Sequence, residues 1–341
     1  MKIKHIIYTL ILTVLLGVSA MANTLSTKQK NIAMIASYTA SGDMDNLKIA
    51  LNKGLDEGLS VNEIKEILIQ MYAYCGFPRS LNAIDAFINV VDERVKAGKS
   101  DVVGKYPTPL SQKDDKNAIG DKVRSNLTKV KKLTAPFVSF TPAIDDFLKE
   151  HLFADIFARG VLTEQEREIA TVAALSSLKG VESQLNSHIQ MAKNTGVTDE
   201  QIKEILLLTS YLKNNIFGIG KTNDGFAQYF IGQSYLNPLN SEEVGVLNVT
   251  FEPKCRNNWH IHHKVGQILL VTDGRGYYQE WGKPARELKA GDVVYIAPGI
   301  KHWHGAAKDS WFSHIAMSVN DKDASHEWLE EVTDKEYNKL K

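Results

Sequence analysis

The apolar residues of this chain recur at helical spacing from about residue 26 to residue 232, then gather into short β-rich runs from Gly245 onward. A helix buries one stripe with a period near 3.6 residues, whereas a strand buries alternate residues, so one layer of secondary structure cannot serve both patterns. The chain is therefore expected to be a multidomain α and β protein with two cores, which its 341 residues permit. The N-terminal part reads as an all-α domain of repeated helical hairpins, and the C-terminal part as a small β-barrel. The expected boundaries are a leader over residues 1–22, repeat 1 over 26–98, a linker over 99–121, repeat 2 over 122–232 and the barrel over 240–341.

Within the helical part the clearest copies are SVNEIKEIL from Ser60 and TDEQIKEIL from Thr198. Each opens with a capping box, Ser60 with Glu63 and Thr198 with Gln201, which satisfies free N–H groups at a helix start. Each then presents one apolar stripe: Ile64, Ile67, Leu68 and Met71 in the first, and Ile202, Ile205 and Leu206 in the second. Gly58 and Gly196 precede the caps at matching places, where a preceding helix must end and turn. The polar, Pro- and Lys/Asp-rich stretch between the copies reads as the linker.

Lys2 and Lys4, an apolar run from Ile6 to Val18, and Ala20-Met21-Ala22 form the pattern of a secretory leader cut after Ala22. The run is shorter than the about 20 apolar residues of a spanning helix, so the mature chain is expected to be exported, to a periplasm, and free of the membrane. Forty basic and 40 acidic residues balance, which leaves no electrostatic footprint for nucleic acid. Cys75 and Cys255 fall in different modules. An exported protein can pair them, although two free or buried thiols are the simpler reading.

In the barrel stand WHIHHKVGQILLVTDGRG from Trp259 and GDVVYIAPGIKHWHG from Gly291. Strands are expected over Val246 to Phe251, Gln267 to Val271 and Val293 to Ile296. His260 and His262 are two apart, so on a strand their side chains leave one face and can converge on a point that Gln267 and His302 also reach. Three imidazoles and an amide oxygen make a divalent-metal set with open positions. His263 is the nearest rival ligand. His304 and His314 can serve as a general base beside such a metal, or His304 can instead support the ligands from behind or lie at the surface beside Trp303. Trp259, Trp281, Trp303, Trp311, Tyr277 and Tyr278 are expected to fill the barrel or its mouth.

The strings REIATVAALSSLKGVESQLNSHIQ from Arg167 and EIKEILIQMYAYCGFPRSLNAIDAF from Glu63 resemble the carboxymuconolactone decarboxylase family, which also includes alkylhydroperoxidase-type peroxidases. The peroxidase branch works with a Cys-x-x-Cys pair followed by a His; near His188 this chain has Ser183 and Asn186 instead, which argues against a dithiol peroxidase and leaves only Cys75 for thiol chemistry. His188 stands where the decarboxylase branch carries a His, so the resemblance makes it a catalytic candidate, with Glu166 and Glu168 as partners or as mere first-turn acids after Thr163.

The barrel motifs resemble the cupin superfamily, with Gln267 in the usual Glu position and Gly274 closing the first motif. Within it, VTFEP, KHWHGAA and the SHIA segment around His314 are most similar to small manganese-dependent hydroxynitrile lyases. The resemblance implies His260, His262, Gln267 and His302 as ligands of a divalent transition metal, Mn²⁺ first and Fe²⁺ next. A neutral ligand shell leaves the full charge on the ion, which favours Lewis-acid chemistry. The expected function is an exported metal-dependent lyase or decarboxylase acting on a small oxygenated molecule, with a His moving a proton. A hydroperoxide reductase and a non-enzymatic small-molecule binder are the alternatives. Hairpins of this kind bury apolar faces across subunits, so a homo-oligomer is expected.

Overall fold

The computed structural model describes residues 24–131 and 134–340, and the chain divides into two compact units at Thr209/Ser210. The leader over residues 1–22 lies outside the described residues. The first unit contains α1 (Thr27–Ser41), α2 (Met44–Asp56), α3 (Val61–Lys96), α4 (Lys116–Thr128), α5 (Pro136–Phe140), α6 (Pro142–Asp146), a π-helix over Phe147–Ile156, α7 (Glu164–Ser176), α8 (Glu182–Asn194) and most of α9 (Asp199–Asn214).

Both expected capping boxes form. Ser60 Oγ accepts from the Glu63 N–H while the Glu63 carboxylate accepts from the Ser60 N–H, and Thr198 with Gln201 does the same. Ser26 with Gln29 and Thr163 with Glu166 add two more at α1 and α7. The turns before α3 and α9 use the same device, Gly58 at φ +97° and Gly196 at φ +96°, a backbone region that favours glycine. The repeated unit is thus α1–α2–α3 against α7–α8–α9, and α1 packs on α7. Ile64, Ile67, Leu68, Met71, Ile202 and Ile205 are buried as expected, whereas Leu206 is half-buried and Leu208 takes its place in the core.

Two expectations, the linker and the helical extent, are corrected, and the long helix also bends. α3 runs far beyond its stripe, bending where Gly76 takes φ +83° ahead of Pro78, which has no N–H to donate. The linker is not a free tether. Its Val102 and Val103 carbonyls accept from Val61 and Asn62 N–H, the Thr108 N–H donates to the Arg159 carbonyl, and α4 begins inside it at Lys116, capped by Asp115. Helix does not extend to residue 232: β1 (Lys221–Thr222) and β2 (Phe230–Ile231) already pair within the sheet.

The second unit is a curled, wholly antiparallel sheet. Its further strands are β3 (Ser234–Asn240), β4 (Val244–Phe251), β5 (Arg256–Asn257), β6 (His260–His263), β7 (Gln267–Glu280), β8 (Arg286–Lys289), β9 (Val293–Ile296), β10 (His302–Ala306), β11 (Phe312–Val319) and β12 (Ser325–Trp328), and α10 (Asp334–Tyr337) closes the chain. β7 is the spine, pairing with β9 and β11 near its start and with β8 and β10 near its end. It passes through Gly274, where φ is +73° and a Cβ would stand 1.9 Å from the Trp311 carbonyl oxygen. Phe251, Leu269, Val271, Leu288, Ile296 and Phe312 form the core inside the curl.

Candidate metal centre

β6 alternates as its HIHH sequence requires. His260 and His262 are buried, at 2 and 3% exposure, while His263 points outward and pairs with Glu327 at 2.8 Å. That alternation removes His263 as a rival ligand. β10 brings the third imidazole, since His302 lies opposite His260 in the antiparallel register and is fully buried. One ring nitrogen from each of His260, His262 and His302 lies within 4.8 Å of the others.

The rings are oriented from behind. His260 Nδ1 lies 3.0 Å from the Asn258 carbonyl and His302 Nδ1 2.9 Å from the Ile300 carbonyl, so in the neutral tautomer Nδ1–H donates and the Nε2 lone pair faces away. His262 Nε2, His302 Nε2 and Gln267 Oε1 are buried with no hydrogen-bond partner among the described residues. Each such orphan costs about 1–3 kcal/mol. A single divalent cation can accept all of these converging lone pairs at once, so the side chains fit a divalent metal. Burial pushes His262 down to about 3 and His302 down to about 4, and holds His260 well below its ordinary range. All three are thus neutral at physiological pH, the form a metal requires.

Two further imidazoles continue into the barrel. The His304 ring centre lies 5.7 Å from that of His260 and 6.1 Å from that of His302, and His314 lies 4.9 Å beyond His304. Asn257 steadies His304: its Oδ1 accepts the His304 backbone N–H at 2.9 Å and its Nδ2 lies 3.1 Å from Nε2. His314 sits between Phe251 and Phe312 with neither ring nitrogen partnered among the described residues, and burial alone pushes it down to about 3.

The sequence reading missed the strand that flanks these imidazoles. β12 places His326 opposite His262 and Trp328 opposite His260, on the same face of the sheet. The ring centres are 4.6 and 4.7 Å apart respectively, and Tyr229 stacks behind Trp328 at 4.7 Å. The only signal was the alternation His326-x-Trp328. Of the aromatics expected in the barrel, Trp259, Trp303, Trp311, Tyr277 and Tyr278 are buried, but Trp281 is 55% exposed beneath the Lys301 ammonium, 3.5 Å from its ring centre.

In the helical unit, His188 on α8 is buried and its Nδ1 lies 2.8 Å from Glu168 Oε2 on α7. Glu168 is therefore a true partner, not a solvent-facing first-turn acid, and its other oxygen is buried and unpartnered. Glu166 is the ordinary one: it caps Thr163 and pairs with Lys28. The Tyr74 ring meets His188 edge-on at 5.4 Å. Ser183 and Asn186 are exposed, Cys75 and Cys255 are both free, and burial pushes the Cys75 thiol up to about 11.

Residues 7–88 and 142–213 match the carboxymuconolactone decarboxylase family, and residues 247–313 match the cupin domain family. An (R)-mandelonitrile lyase of Granulicella tundricola is 39% identical over 124 residues, which are 94% of that protein and 35% of this chain. Among solved structures, a cupin-like protein from Thermotoga maritima is 44% identical, with 37% of this chain and 96% of that one covered at a TM-score of 0.35. A predicted oxalate decarboxylase from the same organism is 20% identical, with coverage of 26% and 83% and a TM-score of 0.25.

Proposed function

Since the chain belongs to the carboxymuconolactone decarboxylase family through its helical half and to the cupin family through its barrel, we propose that it is a metal-dependent lyase acting on a small oxygenated organic molecule, exported from the cell. The observation that supports this reading is the convergence of His260, His262 and His302 in a buried space, with His262 Nε2 and His302 Nε2 unpartnered among the described residues. Gln267, whose buried Oε1 is equally orphaned, is the fourth ligand. Mn²⁺ is the preferred ion and Fe²⁺ the next. When bound, such an ion supplies Lewis-acid polarisation of a substrate oxygen.

The chain's own residues do the rest. Asn258 and Ile300 carbonyls fix the tautomers of His260 and His302. His314, neutral and with both nitrogens unpartnered, takes the substrate proton and returns it to the product. His304, which lies between His314 and the ligands and is held by Asn257, positions the reacting group. The apolar walls from Phe251 and Phe312 exclude water, so a proton moved there is not lost to solvent. A thiol-based hydroperoxide reductase is disfavoured, because the one half-exposed thiol, Cys75, is held protonated by burial.

Elemental analysis of the purified mature protein, followed by cyanohydrin cleavage and decarboxylation assays with and without chelator, tests the proposal. Stoichiometric metal and chelator-sensitive turnover are expected. Protein that carries and takes up no transition metal overturns it, and metal with ligand-dependent thermal shifts but no product would make the barrel a binding module.

A further inference from the structure

β12 is an edge strand of four residues that pairs with β6 and, among the described residues, with no other strand. Its side chains divide by face, as a strand requires. Glu327 is directed outward, where it pairs with the outward His263 at 2.8 Å. The two inward side chains each meet one imidazole of the His-x-His pair. His326 approaches His262 edge-on, with ring centres 4.6 Å apart and planes at 79°, and Trp328 lies 4.7 Å from His260 at 31°. Tyr229 stacks on Trp328 at 4.7 Å and 4°, so the indole is itself backed.

An imidazole turns about two side-chain bonds, and a metal site tolerates only about 10–20° of misorientation. Carbonyls hold the Nδ1 atoms of His260 and His302. His262 lacks that restraint, because its ring makes no hydrogen bond among the described residues. Its orientation rests on the rings around it, His302 nearly parallel at 5.2 Å and His326 against its side. His260, bonded through one nitrogen, can still rock about that bond, and Trp328 limits the rocking. The strand itself is pinned beyond the ladder: the Leu329 N–H donates to the Trp259 carbonyl, the Trp259 N–H to the Glu330 carbonyl, and Arg256 Nε to the Val332 carbonyl.

We propose that β12 is the template that orients the His-x-His pair for its metal, with His326 and Trp328 as positioning residues that support His262 and His260 by ring contact. The inference rests on the metal-dependent reading of the barrel and assigns a role to two side chains outside the proposed ligand set. His326 does not coordinate: the ring nitrogens that converge within 4.8 Å are those of His260, His262 and His302, and His326 stands outside that group. Groups that orient metal ligands from behind are worth about tenfold to a hundredfold in metal affinity.

The test loads the full mature protein with Co²⁺, whose visible bands report the geometry of its ligands, and measures the Kd by competition with a chelator. Trp328→Leu and His326→Leu, which keep apolar bulk but remove the flat ring, should each weaken Co²⁺ binding about tenfold or more and shift the bands. Trp328→Phe and His326→Phe, which keep a ring, should restore the wild-type affinity and spectrum. A purely structural role would lower the melting temperature of the metal-free protein and leave the bands of the loaded protein in place. His326 is exposed at the rim, so its two variants decide the matter even where Trp328→Leu does not fold. Wild-type protein that takes up no Co²⁺ removes the metal reading, and the template with it. Wild-type protein that binds Co²⁺ while the Leu variants keep its Kd and bands overturns the template alone, and loss of binding in His326→Phe would make His326 a ligand and overturn its assigned role.

Discussion

Replacing His302 by Gln should cost the barrel its metal-dependent stability while leaving its metal-free stability nearly untouched. The imidazole is fully buried and bonded to the Ile300 carbonyl, so truncation to Ala would confuse ligand loss with a cavity. Gln keeps most of the volume and an N–H for that carbonyl. At a free metal concentration about a hundredfold above Kd, binding stabilises the native state by about 2.7 kcal/mol. For a unit the size of residues 210–341, each kcal/mol shifts Tm by about 4 °C, so metal should raise the wild-type transition by about 10 °C. If loss of one ligand weakens affinity about a hundredfold, the same metal concentration leaves only about 0.4 kcal/mol, a shift of 1–2 °C. Calorimetry of chelated and metal-loaded protein measures both. His263→Gln, at the outward neighbour, should retain the full shift. The reasoning is refuted if His302→Gln responds to metal as the wild type does, or if His263→Gln loses the response.

His314→Asn should retain metal but lose turnover about a hundredfold or more, as expected for removal of a general acid–base group; steady-state kinetics beside metal analysis would exclude His314 from the chemistry if the rate were unchanged. The Cys75 thiol, raised from about 9 to about 11 by burial, is protonated throughout the neutral range and ionises only as pH rises through 11. At pH 8 its alkylation should therefore run about a hundredfold slower in native than in denatured protein, and rapid native alkylation at that pH would contradict the burial argument. Gly274→Ala places a Cβ against the Trp311 carbonyl at a positive φ, and should destabilise the barrel by at least about 2 kcal/mol in denaturant titration.

The parts of this molecule that declare themselves in sequence are those whose spacing has one physical solution. His260-x-His262 on a strand can only face together, and the cap-and-stripe strings at Ser60 and Thr198 can only start helices. Other parts hide because tertiary partners override local signals. β7 looks finished at Val271, since Thr272-Asp273-Gly274 reads as a turn, yet the strand bulges there and continues to Glu280. β12 offers no apolar alternation, so His326 and Trp328 could be placed beside His262 and His260 only by the register with β6. The partner of His188 was ambiguous between two glutamates of one helical turn, because helix start signals favour acids there whatever they touch. The segment after Thr209 kept a helical rhythm in sequence, but its short strands take their structure from the sheet they join.

Counting five residues in from the caps Ser26 and Thr163, and eight back from the turns Gly58 and Gly196, pairs Glu168 and His188 with Asn31 and Ala50. Asn31 instead bonds Glu57, at 2.6 Å, and Ala50 is buried in the core. A fold built twice on one pattern shows which features its outline requires, the caps, turns and apolar stripes that both halves share, and the Glu168–His188 contact, present in the second half alone, is not among them.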